Sequence, residues 1–294
     1  MGRSIVLEES KDVGKRSRIW SREDIDHVIS KNKGSDLIEV IYLQSSIPYK
    51  ANWGSEAFSS MWSLRILIIL CNVYLPHGLT CLPSSLKILE WQAYPLQSLP
   101  HRVHLLAFPP LISSLASLKE LDISDYNLKI IPNALGCLPS LEVLDLSKNN
   151  FENLPDGSCV FPPSFSGLAS FKALNISDCN LKTIPNVLGG LPLLEFLDLS
   201  ENDFSNLLDG NCVLPPSFSC LSSLKFLKLI NCNLRDGSIP KDLSCLSSLK
   251  ELDLTGNKIT HLPAQCVANL SLLSTLHLSY CPKLKYLSNL PPNL

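Results

Sequence analysis

The sequence predicts an α/β fold made of stacked coils, and three observations lead to this prediction. The frame L-x-x-L-x-L-x-x-N/C-x-L returns seven times after residue 117, its starts lie 23 to 30 residues apart, and I-P or L-P steps follow most copies. Hydrophobic residues make up 45% of the 294 residues and charged residues only 18%. Such a chain has enough apolar side chains to bury a continuous core.

Each frame predicts a short strand whose apolar residues point inward and whose intervening residues point to solvent. Clear copies begin at Leu118, Leu141, Phe171, Leu194, Leu224, Leu249 and Leu273, and weaker copies begin at Leu86, Leu64 and Ile38. One coil cannot bury its own apolar face, so neighbouring coils must stack and share a core. The pattern indicates a leucine-rich-repeat solenoid bent into a horseshoe, with an exposed concave sheet.

The spacing also indicates a recent tandem duplication. Successive clear copies are separated by 23, 30, 23, 30, 25 and 24 residues, and residues 118–170 match residues 171–223 at 36 of 53 positions. Both of the longer units carry a similar insert, at residues 156–163 and 209–216. Two neighbouring coils were therefore copied together as one pair.

The ninth residue of each coil, called here the ladder position, alternates between asparagine and cysteine. The asparagines are Asn149, Asn202 and Asn257, the cysteines are Cys179, Cys232 and Cys281, and Tyr126 stands in the first copy. We expect these side chains to hydrogen-bond the backbone where the strand turns, so the cysteines are interpreted as structural. The eleven cysteines contain no C-x-x-C pair, which favours free thiols in a reducing compartment.

The first 36 residues do not follow the repeat. Ser21-Arg-Glu-Asp24 reads as a capping box with Trp20 and Ile25 as a hydrophobic staple, so a helix is predicted near 22–32 with Gly34 as its stop. The predicted organisation is a linker over 1–36 and a solenoid over 37–294, with weak repeats at 37–110 and clear repeats at 111–294.

Charge and hydropathy exclude several function classes. The net charge is −2, which provides no basic surface for nucleic acid or for a membrane. No apolar run reaches the length of a membrane span, and the first residues do not resemble a signal peptide. The sequence therefore predicts a cytoplasmic protein, with the nucleus as a further compartment.

The chain resembles a known family over essentially its whole length, and the specific similarity lies in its N-terminal third. Residues 1–10, 14–20, 23–25 and 38–43, and then 89–91 and 94–100, are similar to plant nucleotide-binding leucine-rich-repeat disease resistance proteins of the Toll/interleukin-receptor-like subclass. The resemblance implies that residues 1–36 correspond to the end of the winged-helix part of the nucleotide-binding region. The sequence has no GxxxxGK[ST] loop, no Met-His-Asp motif and no Toll-like domain, so the chain is expected to be a truncated member.

The resemblance implies a recognition module in plant defence signalling. Its expected partners are a pathogen effector or a guarded host protein, together with a nucleotide-binding domain in cis or in trans. The alternative is a stand-alone repeat protein that acts as an adaptor or decoy, or a fragment without function. His101 and His104 have the spacing of a metal pair but no evident third ligand, and no catalytic set is apparent. We therefore predict no enzyme activity, no metal and no cofactor.

The third and fifth residues of each coil are predicted to face solvent on the concave side. The fifth residues are mostly acidic, while Phe196 and Phe226 occupy the third position of adjacent coils, which predicts an apolar patch on a polar face. A plainly solvated strand face is the alternative. The predicted protein-binding residues are Asp145, Phe196, Asp198, Phe226, Lys228, Ile230, Asp253, His277 and Tyr280.

Overall fold

The computed structural model describes most of the chain as two compact units. The described residues are 6, 8–47, 49–71, 73–75, 79–91, 114–151, 161–205, 214–263, 265–287, 290–291 and 293–294. The first unit comprises Met1–Tyr126 and Pro132–Leu144, and the second comprises Asn127–Ile131 and Asp145–Leu294.

Short parallel strands dominate both units. The strands are β1 Arg18–Ile19, β2 Val40–Gln44, β3 Tyr49–Lys50, β4 Ile66–Leu70, β5 Val73–Tyr74, β6 Ile88–Trp91, β7 Glu120–Asp122, β8 Val143–Asp145, β9 Ala173–Asn175, β10 Phe196–Asp198, β11 Phe226–Lys228, β12 Glu251–Asp253 and β13 Thr275–His277. Helix α1 spans Arg22–Ser30, and 3₁₀ turns span Val13–Lys15, Asn133–Cys137, Pro163–Gly167, Asn186–Gly190 and Pro216–Cys220. The predicted class, a leucine-rich-repeat solenoid with a short N-terminal helix, is confirmed.

In the first unit the parallel order is β1-β2-β4-β6-β7, and β3 and β5 form a separate parallel pair. The register places Ile41 beside Leu67, Leu67 beside Leu89 and Leu89 beside Leu121, all buried. Equivalent residues of successive weak repeats are thus direct neighbours. The sheet begins at β1, inside the segment that the sequence separates from the repeats.

In the second unit β9 to β13 pair in chain order, again in parallel. The central leucines Leu174, Leu197, Leu227 and Leu252 stand side by side, and each is almost completely buried. Burial of these side chains is the main favourable contribution to the stacking of coils, because a single coil leaves them in water.

Helix α1 begins as the sequence predicts, since Ser21 Oγ accepts a hydrogen bond from the N–H of Asp24 at 3.1 Å. Ile25 and Val28 form its fully buried face. The predicted end was wrong, because the helix stops at Ser30. Asn32 takes the left-handed conformation (φ 50°), and the N–H of Lys33 bonds the carbonyl of Val28 at 2.8 Å, which closes a Schellman turn.

Gly34 has a different role from the helix stop that the sequence predicts. A β-carbon at this position would lie 2.6 Å from Met61 Cε and 2.8 Å from Ser60 Oγ. A larger residue at this position would therefore force the Ser60 and Met61 side chains to shift.

An aromatic cluster forms part of the core of the first unit. The rings of Trp53, Phe58 and Trp91 meet edge to face, with centroids 6.0 to 6.4 Å apart, and all three side chains are buried. Trp53 Nε1 donates to Asp26 Oδ1 at 2.8 Å, which ties helix α1 to this cluster. The cluster contains two of the four tryptophans of the sequence, Trp53 and Trp91.

The ladder asparagines bond two coils at once. Asn202 donates to the carbonyls of Leu199 in its own coil and Ile176 in the preceding coil, and its Oδ1 accepts the N–H groups of Cys179 and Leu181. Asn257 makes the equivalent four bonds one pair of coils later. Both side chains are buried, so these bonds satisfy backbone groups that water cannot reach.

The ladder cysteines make a simpler contact with the preceding coil. The thiols of Cys179, Cys232 and Cys281 donate to the carbonyl of the sixth residue of that coil, at 3.1, 3.3 and 3.4 Å. Tyr126 does the same with its hydroxyl, which donates to the carbonyl of Trp91. The predicted structural role of the cysteines is consistent with these bonds. Tyr126 takes the place of a ladder cysteine and supplies a hydroxyl donor instead of a thiol.

Candidate functional site

The exposed face of the sheet in the second unit carries most of the predicted binding residues. On β10, β11 and β12 the central leucine is buried while the residues on either side are only partly covered. This alternation follows from the two-residue period of a strand. Side chains at the third and fifth positions of each coil therefore share one surface, called here the strand face.

Two phenylalanines form an apolar centre on the strand face. Phe196 and Phe226 are register neighbours on β10 and β11, and their ring centroids lie 6.5 Å apart with the rings tilted by 44°. Lys228 Nζ lies 5.5 Å from the centroid of the Phe196 ring, a cation–π contact. Both rings are half-buried, so part of each remains available to a ligand.

The acidic residues of the strand face have a structural task that the sequence analysis missed. Asp145, Asp198 and Asp253 each accept, through Oδ1, the backbone N–H two residues later, at 2.8 to 2.9 Å. Such Asx turns end the strand. The signal was present in the sequence, since Ser or Thr follows each of these aspartates by two residues. The acidic column thus arises partly from turn formation.

The remaining predicted residues lie around this centre. Asp145 Oδ2 accepts a hydrogen bond from Asn175 Nδ2 at 2.8 Å, so this carboxylate is already engaged. Ile230 is half-buried just beyond β11. Tyr280 is 87% exposed and left-handed (φ 55°), beyond the end of β13.

Glu251 is a strand-face residue that the predicted set omitted. It is the register neighbour of Phe226, and its Oε1 lies 3.8 Å from His277 Nε2. It stands at the third position of its coil, two residues before Asp253, so the strand period alone could have identified it.

A polar cavity of about 320 Å³ lies in the turns of the second unit. Its lining includes Lys148, Asp178, Asn180, Lys182 and Asp203. Asn180 Nδ2 donates to Asn150 Oδ1 at 3.1 Å, and Lys182 Nζ lies 3.8 Å from Asp203 Oδ2. These two contacts join side chains of successive coils, which indicates that they stabilise the turns.

Other sequence candidates lie outside the described residues. These are His101 and His104, and the cysteines of the two duplicated inserts, Cys159 and Cys212, also lie outside them. Within the described part, the cysteines are not joined in disulfides, and none of the helices has the length and hydropathy of a membrane span.

Comparison with known proteins now identifies the repeat. A Leucine rich repeat family model matches residues 108–151, 160–204 and 238–282, and a second Leucine Rich Repeat model matches residues 140–168. The structure of a leucine-rich-repeat protein from Leptospira interrogans superposes with a TM-score of 0.51 over 92% of this chain and 76% of that protein, at 21% identity. The chain contains leucine-rich repeats. The superposition supports the fold alone, because the identity is low.

The leucine-rich-repeat chain is homologous to plant disease resistance proteins. Disease resistance protein RPP2A of Arabidopsis thaliana is 29% identical over 99% of this chain, and RPS4B of the same plant is 29% identical over 99%. TMV resistance protein N of Nicotiana glutinosa is 32% identical over 46%. The chain spans only 21%, 29% and 14% of the lengths of these three proteins.

Proposed function

We propose that the chain is the protein-recognition module of a plant intracellular immune receptor. Its role is to sense a pathogen effector or a guarded host protein and to regulate a nucleotide-binding domain, in cis or in trans. The homology to disease resistance proteins supports the biological setting. The parallel solenoid supports the molecular role, since its strands present a broad surface of adjustable side chains.

The observation that carries this proposal is the pair of Phe196 and Phe226 on the strand face. Aromatic side chains at the centre of a polar surface are typical anchors of protein interfaces. The two rings are register neighbours on paired strands, so the backbone fixes their separation. A partner can therefore bury both rings without first ordering a loop.

The charges around the rings select the partner. Asp198, Glu251 and Asp253 flank the phenylalanines, while Lys228 lies among them over the Phe196 ring. We infer that the partner inserts an apolar group between basic side chains, which approach the carboxylates. Complementary charge of this kind favours specificity and fast association more than raw affinity.

Regulation requires unequal affinity for two states. A ligand shifts a conformational equilibrium only by the difference between its binding free energies for those states. In the proposed mechanism the nucleotide-binding domain and the sensed protein compete for, or jointly use, the strand face. Binding of the sensed protein then releases or rearranges the contact that holds the domain inactive. The leucine-rich-repeat chain acts as a scaffold and catalyses no reaction.

Affinity enrichment from infected and uninfected leaf extracts tests the proposal. The double variant Phe196→Ser with Phe226→Ser is compared with the wild-type chain. We expect proteins captured by the wild type to be depleted at least tenfold with the variant, because its apolar anchor is gone.

A matched control separates the strand face from surface hydrophobicity in general. Leu193 and Leu272 are about half exposed, and each immediately precedes the first leucine of a coil, away from the strand face. The double variant Leu193→Ser with Leu272→Ser should capture the same proteins as the wild type. Equal capture by all three chains would contradict the proposal.

A further inference from the structure

We propose that Glu251, Asp253 and His277 form a binding site for a divalent transition metal ion, with Zn²⁺ as the preferred ion. One donor atom from each side chain lies within 4.8 Å of the other two. An imidazole nitrogen with two carboxylate oxygens is a donor set that zinc uses in proteins. Three protein ligands leave a fourth position for water or for an atom of another molecule.

The strand register holds the three donors on one surface. Glu251 and Asp253 are separated by the buried Leu252, so both project from the same face of β12. His277 is the register neighbour of Asp253 on β13. The backbone of a hydrogen-bonded sheet therefore sets the positions of all three residues, and little ordering remains for the metal to impose.

One pair of donor atoms is close to the separation found around a bound ion. Two ligand atoms about 2.1 Å from a tetrahedral zinc are about 3.4 Å apart. Glu251 Oε1 and His277 Nε2 are already within 3.8 Å of each other. Rotation of the partly exposed side chains closes the remaining gap without movement of the strands.

Asp253 is oriented by a neighbouring backbone group. Its Oδ1 accepts the N–H of Thr255 at 2.9 Å, which restricts rotation of the carboxylate. Hydrogen bonds of this kind to a ligating carboxylate hold it in position and increase metal affinity.

Protein cations do not neutralise this cluster. Among the residues that the structure describes, no Lys or Arg lies within ion-pair distance of Glu251 or Asp253. Lys228 is the register neighbour of Asp253, but its ammonium lies over the Phe196 ring. Two carboxylates without a Lys or Arg partner favour a divalent cation, which also has the charge to attract both.

Zinc binding to the purified full-length chain tests the site without any protein partner. Zn²⁺ is titrated against a chromophoric chelator with the wild type and with His277→Ala and Asp253→Asn. We expect each variant to bind one zinc ion fewer per chain, or to bind it at least about tenfold more weakly. Any zinc held by the eleven cysteines is common to all chains and cancels in this comparison.

Asp198→Asn is the matched control, because Asp198 occupies the same coil position and makes the same Asx turn without a neighbouring histidine. It should leave the number and affinity of bound zinc ions unchanged. Identical zinc titrations for the wild type, His277→Ala and Asp253→Asn would overturn the proposal, as would an equal loss in Asp198→Asn. Neither result bears on the proposed recognition of proteins by the phenylalanine pair.

Discussion

Asn202 is bonded to the backbone on both sides of Asn180, which lies in the preceding coil. Its Oδ1 accepts the N–H of Cys179 at 3.1 Å and the N–H of Leu181 at 2.9 Å. Both N–H groups point to one oxygen because Asn180, between them, has a left-handed backbone (φ 58°). Asn233 (φ 60°) stands in the same relation to Asn257. A coil with asparagine at the ladder position thus requires a left-handed tenth residue in the coil before it. This requirement couples each such coil to the preceding coil, which has cysteine at the ladder position in both of these cases.

Replacing Asn202 with alanine should destabilise the protein strongly. The change removes the partner of two buried backbone N–H groups and of the carbonyl of Ile176, at a cost of about 3 kcal/mol or more, while the carbonyl of Leu199 keeps its bond from the Cys232 thiol. Urea unfolding followed by circular dichroism measures this loss. Asn186→Ala, an exposed asparagine in a 3₁₀ turn, should change stability by less than about 0.5 kcal/mol. Similar losses of unfolding free energy in both variants would contradict the stabilising role of the asparagine at the ladder position.

Asn180 should tolerate glycine but not alanine. A left-handed backbone costs an ordinary L-residue about 1–2 kcal/mol, whereas glycine adopts it readily. We expect Asn180→Ala to lower the free energy of unfolding by about 1 kcal/mol or more, and Asn180→Gly to lower it less. Both variants lose the side-chain bond to Asn150, so their difference reports the backbone conformation. Equal unfolding free energies for the two variants would show that the left-handed backbone carries no cost.

The ladder thiols should resist alkylation in the folded protein. Burial raises the pKa of Cys232 from 9.0 to about 12, so its thiol stays protonated at pH 8. Cys137 and Cys220 are exposed. Brief treatment with iodoacetamide at pH 8 should modify Cys137 and Cys220 and leave Cys232 unmodified. Mass spectrometry measures the extent of modification at each cysteine. In urea all three should react alike; equal labelling of Cys232 without urea would contradict this prediction.

The raised pKa of Cys232 also predicts that the stability of the protein depends on pH. Below pH 9 the Cys232 thiol is protonated in the folded and the unfolded chain. As the pH rises from 9 towards 12, the unfolded chain releases this proton while the folded chain retains it, so unfolding becomes easier. The stability advantage of the wild type over Cys232→Ala should therefore be complete below pH 9 and decrease above it. A constant advantage up to pH 11 would rule out this linkage.

Most of the fold follows from the sequence because the spacing of apolar residues within each repeat frame is strict. The frame from Leu118 onward locates the clear strands to within a residue or so, and Ser21 locates the start of α1. The end of α1 was misplaced because Gly34 is the more usual left-handed residue, while Asn32 occupies that conformation here. The tyrosine at the ladder position could not be explained from one coil, since its bond reaches the carbonyl of Trp91 in another.

The strand face was less predictable than the fold. The two-residue period identifies which side chains share a surface, and it correctly makes Phe196 and Phe226 neighbours. It does not reveal that Lys228 lies over a ring, or that the aspartates already bond the backbone. These properties depend on side-chain rotamers and turn geometry, which a spacing pattern does not encode.

Photo-crosslinking from the strand face tests the central claim most directly. A photoreactive amino acid replaces Phe226 in one chain and Leu193, away from the strand face, in another, and both chains are irradiated in leaf extract. If the strand face recognises a protein partner, the chain labelled at position 226 should give a discrete adduct that the chain labelled at position 193 does not. Adducts from position 193 alone, or the same adducts from both positions, would contradict recognition through this surface.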